Sequence, residues 1–290
     1  MKKLFLLSLI GSICCISVGY AQIKIAYALD QPGFVLTSQN PNKFEVLDSS
    51  YLRVNYECHF RAFEKDDSLL DSDNLEVLIG NRYTTCFSKS LRNFDIRNDT
   101  LMKKHNRFDI AESSWQGFEI RRNVKEQQLT VSNRIPFSST VMQYKEPNPF
   151  MKWIITSERD SLLGHQCIKA TTKYGGRSYI AWFAPDIPVP YGPWKFNGLP
   201  GLILVIRDTE KNFCFECCGI KQEKVPIVNY CWKYELTTKE KWKKFERNMY
   251  IHAGRYIANT GATVLVMDNS VAGSHPISNS WTAYYNPLEK

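Results

Sequence analysis

The chain has 290 residues, 43% of them hydrophobic and 13% aromatic, which is ample material for a sizeable core, and it carries a formal net charge of +8 at pH 7. The basicity is mild and dispersed. Its densest cluster, Lys239, Lys241, Lys243, Lys244 and Arg247, alternates with Glu240 and Glu246 and reads as a solvated helix face, which argues against a nucleic-acid footprint.

In chain order, Lys2 and Lys3 precede an apolar stretch over residues 4–18 and small residues at Gly19 and Ala21, the arrangement of a signal peptide cut after Ala21. Removal of residues 1–21 leaves 269 residues at +6. Ile13 and Cys14 stand where lipoprotein processing needs a small residue before the cysteine, so Cys14 and Cys15 are not read as lipidation sites. The expectation is an exported protein that stays in the periplasm, attaches to the outer-membrane periphery or is secreted. No later apolar run is long enough for a transmembrane helix. Cys58, Cys86, Cys167, Cys214, Cys217, Cys218 and Cys231 remain, disulfide candidates in an oxidising compartment, with one left over in a monomer.

From residue 51 to 60 the sequence alternates, with Leu52, Val54, Tyr56, Cys58 and Phe60 on one face and polar residues on the other, predicting a half-buried antiparallel strand. An acidic stretch at 66–73 reads as a hairpin loop before strands at 75–79 and 83–87. Asp66, Asp67, Asp71 and Asp73 lack the glycine and distal glutamate of an EF-hand loop. Residues 89–123 are mixed, a short helix followed by irregular structure. Further strands are predicted at 119–123, 128–131, 153–158, 166–174, 177–183, 202–208, 212–221 and 228–234, separated by turn chemistry such as Gly175-Gly176. Thr238 caps one long helix whose packing stripe is Trp242, Phe245, Met249, Ala253 and Tyr256, with His252 on its flank. The tail from about residue 269 is rich in Ser, Gly and Pro and is expected to be loosely ordered.

The fold expected is therefore mainly β (β-rich α+β), a curved antiparallel sheet like an open half-barrel with a long packed helix near the C-terminus, in one domain over residues 22–290.

The most distinctive segment, residues 184–201, holds five prolines and three glycines. Each proline removes a backbone donor and fixes φ, so the segment cannot run inside a sheet. Leu199-Pro200-Gly201-Leu202 fits a type II turn with Gly201 supplying a positive φ. The run from Tyr191 to Ile203, YGPWKFNGLPGLI, resembles the signature of the GLPGLI family of exported Bacteroidetes proteins, and the likeness extends to residues 175–183 and to the closing YNPLE at 285–289. The resemblance implies compartment and lineage. The family's role is undefined, so it supplies no catalytic residue.

Three functional readings follow. In the first, Trp182, Tyr191, Trp194, Phe196 and Leu199 line a cavity mouth for an apolar small molecule or present a docking surface for an outer-membrane protein, with Arg177 and Lys195 placed to hold an anionic head group. In the competing structural reading the same aromatic rings plug one end of the sheet. The second is a copper- or zinc-handling protein using His165, Cys167, Cys214, Cys217 and Cys218, although on a strand Cys214 and Cys217 point to opposite faces. The third is an enzyme without recognisable motif, since the chain has no H-E-x-x-H, no G-x-S-x-G and no Gly-rich phosphate loop. No cofactor is implied.

Overall fold

A computed structural model describes residues 24–27, 34–61, 70–106, 116–261, 263–267 and 274–290. Residues 1–21, expected to be a signal peptide, the first part of the acidic stretch at 66–73 and the segment at 268–273 lie outside the described residues, whereas Asp71 and Asp73, expected in a hairpin loop, lie on β3 paired with Phe60 and Cys58 of β2. The elements run β1 (Lys24–Tyr27), β2 (Phe44–Arg61), β3 (Leu70–Gly80), β4 (Tyr83–Ser88), α1 (Lys89–His105), β5 (Phe118–Asn123), β6 (Gln128–Arg134), β7 (Thr140–Pro147), β8 (Ile154–Leu162), β9 (His165–Tyr174) and β10 (Arg177–Ala184). They continue with β11 (Leu202–Asp208), β12 (Phe213–Lys221), β13 (Pro226–Tyr230), β14 (Lys233–Leu236), α2 (Lys239–Ile251), α3 (Ala253–Asn259), β15 (Thr263–Met267) and β16 (Ser274–Pro276).

Thirteen strands form one open sheet, in the order β14-β7-β6-β5-β4-β3-β2-β12-β11-β10-β9-β8, with β13 added beside β2. Every pairing in it is antiparallel except β14 with β7. The long strand β2 changes partner along one edge, pairing β13 over its first half and β12 over its second. Its alternation is the one read from the sequence: Leu52, Val54, Tyr56 and Cys58 are buried between less buried neighbours. The sheet does not close, yet it bends enough for one core to unite strands from both ends. Ile120, Leu129, Val131 and Tyr144 pack in the same cluster as Cys167, Ala170, Tyr179 and Ala181. β1, β15 and β16 make a separate three-stranded sheet.

Three local expectations are corrected. First, α1 is a helix of 17 residues rather than a short one, capped by Ser88, whose Oγ accepts from the Leu91 N–H at 3.0 Å. Its Asn- and Asp-rich sequence hides it, because those side chains compete with the helical backbone. They are held here by tertiary contacts, including a buried ion pair between Asp95 and Arg134. Second, the single helix expected after Thr238 is two, broken at His252 (φ −125°, ψ 39°). The break lets the chain's last segment approach: the Gly254 N–H donates to the Trp281 carbonyl at 3.0 Å, and a Cβ on Gly254 would lie 1.9 Å from the Ser278 carbonyl oxygen. Third, the left-handed backbone near Pro200 falls at Gly198 (φ 93°) instead of Gly201. Gly201 is required by crowding, since a Cβ there would sit 2.3 Å from the Ala184 carbonyl oxygen.

The C-terminal segment, read from composition as loose, is tied across the open side of the sheet. Arg177 donates to Asn286 Oδ1 at 2.5 Å and to the Pro287 carbonyl at 2.7 Å, Tyr179 donates to the Leu288 carbonyl at 3.2 Å, and the Lys290 N–H donates to the Gly175 carbonyl at 2.7 Å. Composition misled because the order is imposed by polar partners on β10 and its preceding turn, which no local pattern announces.

Candidate functional site

Between the concave face of the sheet, α2 and the C-terminal segment lies a cavity of about 250 Å³. Its floor comes from the Pro/Gly segment. Trp194 adopts a left-handed backbone (φ 52°), an uncommon state for a large side chain, held by its N–H donating to Cys86 Sγ at 3.2 Å and by ring contacts with Tyr174 and Phe196 at 5.6 and 5.1 Å between centroids. Lys195, only 2% exposed, follows it into the interior.

Lys195 is one corner of a closed ring of charge. Its Nζ lies 2.5 Å from Glu146 Oε1 and 3.0 Å from Glu289 Oε2, while Lys239 Nζ lies 2.8 Å from Glu146 Oε2 and 2.7 Å from Glu289 Oε1. The Tyr174 hydroxyl adds a hydrogen bond to Glu289 at 2.7 Å. Burial alone raises a carboxyl pKa, but Lys195, Lys239 and Tyr174 outweigh it and hold Glu289 at about 2. The ring joins β7, the Pro/Gly segment, α2 and the C-terminal segment, and it is neutral overall.

The wall comes from α2, where Trp242, Glu246 and Tyr250 recur every fourth residue and therefore share a face. Phe34 meets the Tyr250 ring edge-on at 4.9 Å, and Trp281, Tyr285 and Asn286 close the roof. Glu246 was read as part of a solvated helix face; the structure instead places it in the cavity wall, where the Tyr285 hydroxyl donates to its Oε2 at 3.1 Å. Burial pushes its carboxyl up to about 7, against the opposing pull of Tyr285 and Lys243. The folded chain thus holds a proton that the unfolded chain, with an ordinary glutamate near 4.5, gives up. This group's contribution to stability is complete below about pH 4.5 and is lost as pH rises through 7. Denaturant unfolding should show the chain losing on the order of 1–3 kcal/mol between pH 5 and 8, the upper figure discounted for partial solvent access. The Glu246→Gln variant should lack that loss.

The residues singled out from sequence distribute unevenly. Only Trp194 borders the cavity, with Lys195 beside it. Phe196 and Leu199 are fully buried in the core, Trp182 is half-buried on β10, and Tyr191 lies under the Arg122 guanidinium at 4.8 Å. Arg177 is fully engaged by Asp208 and the C-terminal segment, and Lys195 by Glu146 and Glu289, so neither is poised for an anionic head group. Both cations sit where internal carboxylates and carbonyls neutralise them, a placement that sequence spacing does not reveal.

The metal candidates stay dispersed. His165 Nδ1 pairs with Asp186 Oδ2 at 2.6 Å, Cys167 is fully buried, Cys214 faces Glu216 at 3.4 Å, Cys217 bonds the Gly219 carbonyl and Cys218 is exposed. Burial pushes the Cys214 and Cys217 thiols up to about 12, which opposes thiolate ligation at neutral pH. Among the described residues no group of three or more His, Cys, Asp or Glu gathers round a common point. Cys58, Cys86, Cys167, Cys214, Cys217, Cys218 and Cys231 are free thiols, so the expected disulfides are absent among the described residues. Cys58, Cys86 and Cys167 lie on β2, β4 and β9, Cys231 falls between β13 and β14, and Cys214, Cys217 and Cys218 share β12, with Cys214 and Cys218 on the face opposite Cys217.

A family described as "Protein of unknown function (Porph_ging)", associated with Bacteroidetes, matches residues 176–205, which span β10, the Pro/Gly segment and the start of β11. No curated protein matches the chain. Two solved structures, PNGF-II in the P21 and C2 space groups, are each 14% identical over 68% of this chain, with TM-scores of 0.47 and 0.48. The match covers 33% and 32% of those structures, so this chain spans about a third of their length. Among the described residues no helix is long and apolar enough to cross a membrane.

Proposed function

We propose that this chain is an exported envelope protein of the GLPGLI kind that binds a small amphipathic molecule in the cavity beneath its C-terminal segment. The observation that carries the proposal is a partly open cavity with aromatic rings on its walls over a charged floor that is already neutralised internally. A concave site that mixes aromatic walls with polar groups such as Gln116, Asn133 and Asn286 suits an amphipathic ligand. Its volume suits roughly eight to ten non-hydrogen atoms if each takes the ~30 Å³ that a water occupies in the liquid. The role is non-enzymatic. Glu246 and Glu289 have opposed acidities, as a general acid and base do, but the Glu289 oxygens are committed to Lys195, Lys239 and Tyr174, which leaves no free base.

Native mass spectrometry of the protein purified from its own envelope tests this. The expected result is a single small organic adduct on the wild type that is lost from Val131→Phe, a change that fills the cavity from β6 and leaves the charge ring intact. A wild-type protein that emerges without an adduct, or an adduct that survives in Val131→Phe, overturns the proposal.

A further inference from the structure

We propose that the cavity selects a ligand carrying a quaternary ammonium group, seated against the Glu246 carboxylate between the rings of Trp242 and Tyr250 on α2 and of Trp281 and Tyr285 on the roof. The inference rests on the binding role proposed above and names the chemistry of its ligand.

Six charged or titratable groups face Glu246, from four parts of the chain: Tyr144 on β7, Tyr250 on α2 and four others. From the C-terminal segment come the Tyr285 hydroxyl, its hydrogen-bond donor, and Glu289; from the Pro/Gly segment comes Lys195; and Lys243 lies on α2 itself. Neither lysine is devoted to Glu246. Lys195 is held by Glu146 and Glu289, and the Lys243 Nζ donates to the Lys290 carbonyl at 2.9 Å. Glu289 adds repulsion. A carboxylate facing the cavity therefore keeps one neutral hydrogen bond, from Tyr285, and no dedicated cation. Burial, with no dedicated cation to offset it, raises the proton affinity of the group, so that a proton serves as its counter-charge.

What replaces the proton must suit the walls. A hard metal ion needs six or more oxygen ligands; Asp71, Glu246 and Glu289 all line the cavity, but among the described residues no three such groups gather round one point, and Glu289 is committed to Lys195 and Lys239. A primary ammonium brings three N–H donors that each need an acceptor, and the Glu246 carboxyl shares its wall with the rings of Trp242 and Tyr250 on the same helix face. A quaternary ammonium has no N–H to satisfy, spreads its charge over methyl groups and is attracted to ring faces, so it matches both the carboxylate and the rings. Its bulk, with a short tail, also fits about 250 Å³.

The test compares choline with its uncharged isostere 3,3-dimethylbutan-1-ol by calorimetric or tryptophan-fluorescence titration of the full chain. At pH 8 choline should bind roughly tenfold more tightly than the isostere. The preference should shrink as pH falls below about 7, and choline binding near pH 7 should release protons, seen as a buffer-dependent heat. Glu246→Gln keeps the Tyr285 hydrogen bond and the shape, and should reduce the preference to less than about twofold. Equal binding of the two probes, or a preference that persists in Glu246→Gln, overturns the assignment of charge selection to Glu246 and leaves the cavity as a neutral binding site. Binding of neither probe overturns the inference as well, and the envelope adduct then decides the broader role independently.

Discussion

Lys195→Ala is expected to destabilise the chain by about 3–5 kcal/mol, because removing one member of a buried ion pair leaves its partner charged and poorly solvated. Lys195 is 2% exposed and contacts two carboxylates, and its loss leaves Lys239 alone to balance Glu146 and Glu289. For a chain of this size the midpoint of thermal unfolding should fall by roughly 6–20 °C. The penalty should also depend on pH with a definite sign. In the wild type Glu289 is held at about 2, so its contribution is complete above an ordinary glutamate pKa near 4.5 and is lost progressively as pH falls from there through 2. Without Lys195 the carboxyls protonate more readily, so the variant relieves its excess negative charge in mild acid while the wild type has nothing to relieve. Urea unfolding at pH 8 and pH 4 should therefore show a smaller difference between the two proteins at the lower pH. A cost below about 1 kcal/mol at pH 8 would mean that the ring of charge does not anchor the C-terminal segment.

The strands were the legible part of this chain because period two is a local property. β9, β10 and β11 are legible to within about one residue from alternation and from the turns that bound them, whereas β2 starts at Phe44, well before the alternation at 51–60 that marks it. β7 was missed, although Val141 and Tyr144 are buried on it, because Gln143, Lys145 and Glu146 dilute the pattern and no strong turn precedes it. The site was much less legible. Its charge ring takes Glu146, Lys195, Lys239 and Glu289 from four segments separated by tens of residues, and no spacing rule connects them. Glu246 is the sharpest case. Between Phe245 and Arg247 it has the look of a solvated acid on a charged helix, and its burial exists only because a segment some forty residues later folds over it and brings Tyr285 to its carboxyl. The fourfold recurrence of Trp242, Glu246 and Tyr250 was the one available signal, and it was obscured by the stripe of Phe245, Met249 and Ala253 running beside it.

Phe196→Ala separates the two readings of the Pro/Gly segment by its effect on stability. The side chain is fully buried and meets the rings of Tyr179, Trp194 and Phe215 at 4.8, 5.1 and 6.0 Å between centroids, each edge-on. Deleting a buried phenylalanine from such a cluster costs about 3–5 kcal/mol, the sum of lost transfer energy and an unfilled cavity. A ring at a cavity mouth would behave oppositely, leaving stability nearly unchanged while ligand affinity fell. Denaturant unfolding of Phe196→Ala should show the large loss, and a change under about 1 kcal/mol would return this ring to the binding surface. The expected outcome assigns a division of labour within adjacent residues. Phe196 and Leu199 fill the open sheet where prolines prevent another strand from covering it, and Trp194 and Lys195, turned the other way by the left-handed backbone at Trp194, form the floor of the cavity. The proline and glycine framework is thus needed twice over, to plug the fold and to aim two side chains at the space above it.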